Sequence, residues 1–155
     1  MARNRTAEEA WEALARAQTA LMRGFQEDFR GEEVSMRVYD VLYTLSRCPS
    51  GARLRDLNAH ILLTQPSLSR LVERMEADGL VHRCGDPTDR RATVVRLTER
   101  GREIQRRVGR RHAAAIADRV GGALSEEELA TLRALADKLR AAQEGRGSVS
   151  MTVDP

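Results

Sequence analysis

The residues with the clearest capacity for chemistry are arginines. Arg90 and Arg91 stand side by side in GDPTDRRATVVRLTERG (85–101), behind Asp89 and the turn-forming Asp86-Pro87, with a β-branched run after them. Solubility does not require two guanidiniums on a tight loop between extended segments. The arrangement suits phosphate oxygens, or the narrow groove of a duplex, where negative potential concentrates. A second set lies upstream, in TQPSLSRLVERMEADG (64–79). If Leu68, Leu71, Val72 and Met75 form the inward stripe of a helix, the outer arc holds Pro66, Ser67, Ser69, Arg70, Glu73, Arg74 and Ala77. Small residues permit close approach to a groove, hydroxyls and helix N–H groups meet phosphates, and arginines reach phosphates or guanine edges. Either set alone is compatible with a solvated charged surface; adjoining one another, they point to nucleic acid.

The remaining reactive side chains form no catalytic pattern. His60, His82 and His112 are dispersed and lack paired carboxylates, and the chain contains no HExxH, GxSxG, Gly-rich phosphate loop or Cys–His nucleophile signature. No enzyme, metal site or cofactor is expected. Cys48 and Cys84 are far apart and outside CxxC spacing, which suggests neither a disulfide framework nor a zinc site. Cys84 follows His82 and Arg83, cationic neighbours that could make its thiol oxidisable; a reduced thiol beside a strand is the plainer reading.

The 155 residues suffice for one domain with a real core, or for a compact domain with dimerisation helices. The chain is 41% hydrophobic and 32% charged, a globular balance, while only 3% aromatic residues argue against a wide base-stacking platform. Net charge is +3, meaningful only if clustered, and Lys138 is the only lysine. A GC-rich genome would also favour arginine. No apolar run approaches the roughly 20 residues of a membrane span, and MARNRTAEEAWEAL lacks the apolar core of a secretory signal, so no membrane association and a cytoplasmic location are expected.

The elements that must position these arginines follow from periodicity and punctuation. Trp11, Leu14, Leu21, Met22, Phe25 and Phe29 recur at helical spacing from Thr6 to about Phe29, and Gly31 stops that helix. Ser35 caps a second helix carrying Val38, Leu42 and Leu45, ended by CPSG (48–51). A short third helix spans about Leu54 to Ile61. Thr64 caps a fourth, with Pro66 in its first turn and Gly79 beyond its end. LVHRC and ATVVRL read as a hairpin around GDPTD. Thr98 begins a long helix, and Ser125 with Glu128 forms a capping box for another. The expected fold is mainly α with a small β-hairpin: a winged helix-turn-helix. The expected divisions are an N-terminal dimerisation helix (1–34), a DNA-binding lobe (35–100), C-terminal dimerisation helices (101–145) and a flexible tail (146–155).

TQPSLSRLVERMEADGLVHR followed by DPTDRRATVVRLTERG resembles the MarR family of bacterial transcription regulators. The family pattern is a recognition helix ending in RLVxRLexxGLVxR, then DxRxxxxxLTxxG through the wing; Met75 here replaces the usual leucine. The resemblance implies an obligate homodimer with interlocking terminal helices, bound to a pseudo-palindromic operator on double-stranded DNA, as a repressor. It implies DNA contacts at Arg53, Thr64, Gln65, Pro66, Ser67, Ser69, Arg70 and Arg74, and a wing arginine, Arg90 or Arg91, in the minor groove. Asp89 would orient the loop by pairing with a nearby arginine. It further implies release by a small aromatic or phenolic effector, held between the dimer core and the DNA-binding lobe by Trp11, Met22, Phe25, Met36, Tyr39, Tyr43 and His112. The alternative is a DNA-binding regulator without a metabolite pocket, redox-gated through Cys84 or constitutive. Peroxide-sensing members place a reactive cysteine in the first helix, and this first helix contains none.

Overall fold

Helix limits follow the side chains able to satisfy unpaired backbone groups. In the computed structural model, the Ser35 hydroxyl accepts the Val38 amide at 3.3 Å and opens α2 (Met36–Ser46). The Thr64 hydroxyl accepts the Ser67 amide at 3.4 Å and opens α4 (Gln65–Ala77), with Pro66 in the first turn, where a missing N–H costs nothing. Glu128 accepts the Ser125 amide at 2.8 Å and Ser125 accepts the Glu128 amide at 3.3 Å, the reciprocal cap that heads α6 (Glu126–Gly147). Gly31 and Gly79, just beyond α1 (Ala2–Asp28) and α4, take φ of +91° and +71°, conformations that L side chains resist. The remaining helices are α3 (Leu54–His60) and α5 (Glu99–Ile116), the latter running into a π-helical turn at Ala117–Gly121.

The structure describes residues 2–147 apart from Leu62, Pro87, Arg90 and Arg91, and the side chains of these residues apart from 2–4, 59, 60 and 144–147. Both wing arginines and most of the expected tail, residues 148–155, thus lie outside the described residues. α1 begins four residues before the expected Thr6, and α6 continues to Gly147.

The strands are β1 (Ala52–Arg53), β2 (Val81–Gly85) and β3 (Thr93–Leu97). They form an antiparallel sheet in the order β1-β3-β2, with Val81 opposite Leu97 and Gly85 opposite Thr93. Sequence periodicity anticipates β2 and β3 alone. β1 is two residues long, too short to show alternation, and is defined by its partners: Ala52 faces Val95 and Arg53 faces Val94. Gly51 makes the approach possible. Its φ is +85°, and a Cβ there would lie 2.5 Å from Val94 Cγ1 and 2.7 Å from the Val95 carbonyl oxygen.

The chain divides into two compact units, residues 1–115 and 116–155. In the first, Val41, Leu42, Leu57, Leu68, Val72 and Val95 are completely buried. The α4 stripe of Leu68, Leu71, Val72 and Met75 is the helix's buried face. Truncating a buried leucine of this kind costs about 2–5 kcal/mol, so core packing fixes which face of α4 meets solvent. A second joint fixes the helix end. The Thr98 hydroxyl donates to the Gly79 carbonyl at 2.7 Å and accepts the Gly101 amide at 3.0 Å, while the Thr98 amide donates to the Leu80 carbonyl at 3.1 Å. Gly101 packs so tightly that a Cβ would come within 2.1 Å of the Leu80 carbonyl oxygen. In the second unit, α6 leaves Leu132, Leu135 and Leu139 exposed, and in the first α1 leaves Trp11 67% exposed.

Candidate nucleic-acid interface

Burial of one stripe of α4 turns the other side outward. Thr64, Gln65, Pro66, Arg70 and Arg74 are exposed, with Ser67 and Ser69 half-buried beside them. The Thr64 hydroxyl donates to Ser67 Oγ at 2.9 Å, and Ser69 Oγ donates to Glu73 Oε1 at 3.5 Å. The side chains of Arg70 and Arg74, one turn apart, make no hydrogen bond or ion pair with any described residue. Together with Ser67 and Arg37 of α2, they line a shallow cleft of about 510 Å³. Arg37 is absent from the expected contacts because its place beside α4 is set by helix packing, which sequence spacing does not reveal.

Other charges near α4 are already committed. On β2, the Arg83 amide and Nε donate to the two carboxylate oxygens of Glu76 at 2.8 and 2.7 Å, and Arg83 Nη1 lies 3.8 Å from Glu73. The Arg83 amide, then its side chain, lower the Glu76 pKa. This two-pronged contact fixes α4 against the base of the wing.

The wing is organised from Asp86. Its Oδ1 accepts the amide and hydroxyl of Thr88, both at 2.7 Å, and its Oδ2 accepts Arg53 Nε at 2.7 Å and Nη2 at 2.6 Å. The Thr88 hydroxyl and amide, followed by Arg53, hold the Asp86 carboxyl well below the usual carboxylate range. Arg53, expected to contact DNA, is occupied here as a strut from β1. The Asp86 and Ala92 backbones close the loop by Asp86 N–H to Ala92 O at 3.0 Å, and the Ala92 amide donates to the Asp89 carbonyl at 2.9 Å. Asp89 is exposed. The Asx turn of Asp86, two positions before Thr88, has a local sequence signal; its pairing with Arg53 has none.

The seven residues expected to hold an effector do not share one cavity. Met22, Met36 and Tyr43 line a cleft of about 680 Å³ between α1, α2 and the α3–α4 connection, along with Gln18, Gln26 and Asp40. Burial raises the Asp40 pKa. Phe25, Tyr39 and His112 form a separate aromatic cluster with Phe29, with His112 at centroid distances of 5.0 Å from Phe25 and 5.4 Å from each of Phe29 and Tyr39. Trp11 lies on an exposed stretch of α1. The Cys84 thiol donates to the Val94 carbonyl at 3.6 Å, and its neighbour Arg83 is engaged with Glu76. No group of His, Cys, Asp and Glu able to hold a metal occurs among the described residues, nor is any described helix long and apolar enough to cross a membrane.

A reading helix, α4, preceded by the short α3 and backed by a three-stranded wing, defines a winged helix-turn-helix protein. Residues 33–92 match the MarR family model. HTH-type transcriptional regulator MhqR of Bacillus subtilis is 37% identical over 76 residues, 49% of this chain and 52% of that protein. The chain spans about half the length of the curated relatives it matches. Among solved structures, AbsC, a MarR family transcriptional regulator from Streptomyces coelicolor, superposes with a TM-score of 0.80 at 27% identity, over 90% of this chain and 95% of that one. Sco3205 from the same organism, a MarR family regulator solved in complex with DNA, gives 0.74 at 26% identity, over 89% and 86%. Over residues 33–92 the chain is similar to the MarR family, and these relatives are transcription regulators.

Proposed function

We propose that the protein is a sequence-specific DNA-binding transcription regulator, a cytoplasmic repressor that acts as a homodimer on a pseudo-palindromic operator. α4 enters the major groove, with Ser69, Arg70 and Arg74 meeting phosphates and base edges, and the wing carries Arg91, and secondarily Arg90, to the adjoining minor groove. The observation that carries the reading is the pair Arg70 and Arg74: exposed, one turn apart and without a side-chain partner among the described residues, while Arg53 and Arg83 on either side are tied to carboxylates. The DNA complex of the related Sco3205 supports it. Residues 1–34 and 101–145 serve as dimerisation segments around a DNA-binding lobe of 35–100. The exposed Trp11 and Leu14 of α1 and Leu132, Leu135 and Leu139 of α6 provide apolar surface for a second copy. A small aromatic or phenolic effector acts from the cleft lined by Met22, Met36 and Tyr43, through different affinities for the free and DNA-bound spacings of the two lobes.

Selection of bound fragments from genomic DNA, followed by anisotropy titration, tests the reading. One inverted-repeat class with half-sites about one helical turn apart is expected. Salt-sensitive binding without sequence preference would overturn it, as would a monomeric mass by light scattering at micromolar concentration.

A further inference from the structure

We propose that Arg37 of α2 grips a phosphate of the DNA backbone at the rim of the α4 face, and so sets the angle at which that helix meets the duplex. The inference rests on the reading of α4 as the element that faces DNA, and adds to it a contact from a different helix. Arg37 shares with Ser67, Arg70 and Arg74 the walls of the cleft of about 510 Å³ beside α4. It is exposed, and its side chain makes no hydrogen bond or ion pair with any described residue. Its helix is firmly seated, because Tyr39, Val41, Leu42 and Leu45 of α2 are buried.

Three guanidiniums around one cleft repel one another, and little on its walls offsets them. Glu73 is the one acidic group among the described lining residues, and it is already approached by the Ser69 hydroxyl at 3.5 Å and by Arg83 at 3.8 Å. Exposed arginines elsewhere do find carboxylates: Arg16 lies 2.6 Å from Glu12, Arg106 3.1 Å from Glu99 and Arg111 3.0 Å from Glu32. The partner that matches several uncompensated cations on one face is a polyanion. Position decides between its phosphates and its bases. Arg37 also lines the neighbouring cleft of Met22 and Tyr43, so it stands on the ridge between the two clefts, at the margin of the α4 face. Base edges are reached from the helix that enters the groove, whereas a flanking helix crosses the backbone. A phosphate held by Arg37, together with one held from α4, gives the protein two fixed points on different helices. Two such points resist rotation of α4 on the duplex, which contacts from one helix alone permit.

The test is fluorescence anisotropy of the full chain across a range of salt concentrations. The probes are a short duplex of the sequence selected from genomic DNA and duplexes with single base changes inside one half-site. Arg37→Gln is expected to weaken binding several-fold, by the same factor on every duplex, and to make the slope of log affinity against log salt shallower by about one. Arg37→Lys keeps the charge and should keep the wild-type slope. Arg47→Gln removes an equal charge from the other end of α2, where the side chain borders only the cleft of Met22 and Tyr43, and should leave the slope unchanged. Arg37→Gln and Arg37→Ala should both melt with the wild type, since neither removes a side-chain contact within the described fold. A wild-type slope in Arg37→Gln, alongside a shallower one in Arg70→Ala, would overturn the Arg37 contact and leave α4 as the DNA-binding face. A loss that varies with the base changes would make Arg37 a base reader and refute the phosphate assignment. Equal loss of slope in Arg47→Gln would reduce Arg37 to a share of the net charge. A wild type that binds none of the duplexes would dismiss both readings together.

Discussion

Arg53 and Asp86, 33 residues apart in sequence, meet at 2.6 Å and join the first strand of the sheet to the turn of the wing. The same carboxylate holds both the amide and the hydroxyl of Thr88, so one side chain sets the loop's local turn and its tertiary anchor. Because the folded pKa lies below the ordinary 3.8, the stabilisation is fully present above that value and is lost as pH falls through it toward the folded value. Asp86→Asn should therefore melt at a lower temperature than wild type at neutral pH, and the difference should shrink on acidification below 3.8. A gap between the melting curves that stays constant from neutral pH to strong acid would contradict this.

The two exposed arginines of α4, Arg70 and Arg74, should act on binding and leave folding nearly unchanged. Arg70→Ala and Arg74→Ala remove exposed side chains, so stability should move by no more than about 0.5 kcal/mol. For an arginine that meets a phosphate, its removal should reduce the slope of log affinity against log salt by about one. Anisotropy titrations at several salt concentrations measure it; unchanged slopes in both variants would exclude these residues from binding the DNA backbone.

For the wing, Arg91→Ala should weaken operator binding by roughly 1–3 kcal/mol if the contact is specific. The loss should depend on sequence flanking the half-site, because groove width does. Binding equal to wild type on every flank would mean that the wing stays out of the groove.

Gly101→Ala tests the joint between the wing and α5. The added methyl would need to occupy a position 2.1 Å from the Leu80 carbonyl oxygen, and backbone cannot yield as a flexible side chain does. Overpacking of this kind costs about 1–3 kcal/mol. Denaturant unfolding should show that loss, whereas Gly85→Ala, where a Cβ meets nothing within 4 Å, should show far less.

His112 provides a pH test of the aromatic cluster. Desolvation lowers its pKa below the ordinary 6.5, with Asp28 partly opposing, and its Nδ1 is buried without a hydrogen-bond partner among the described residues. The unfolded chain then binds the proton more readily than the folded one. Stability from this group is intact above 6.5 and declines as pH falls through it toward the folded value. Replacing His112 by Phe should flatten the melting temperature over that interval, and an unchanged slope would place the acid sensitivity elsewhere.

The parts of this fold readable from sequence are those with local causes. The caps at Ser35, Thr64 and Ser125, the glycine after α4 and the stripe from Leu68 to Met75 depend on residues within a few positions of each other. Arg37 beside α4, Arg53 against Asp86 and the brief strand at Ala52 depend on partners brought in by tertiary packing. The effector residues illustrate the limit of helical periodicity. Trp11 and Met22 fall in one spacing pattern, yet 11 residues of helix separate them by roughly 16 Å. Spacing gives direction around a helix axis; it does not say which other element closes the cavity at each height.

The Thr98 joint also affects how the molecule breathes. Helix ends ordinarily fray first, and their amides exchange with solvent protons long before the rest of the fold opens. Here the carbonyls of Gly79 and Leu80, behind α4, are held by the hydroxyl and amide of Thr98, and the same hydroxyl receives the Gly101 amide in the first turn of α5. Neither helix end can loosen without releasing the other. The amides of Thr98 and Gly101 should consequently share one opening event and exchange deuterium at a common, slow rate, as members of a single cooperative unit that spans the end of one helix and the start of the next.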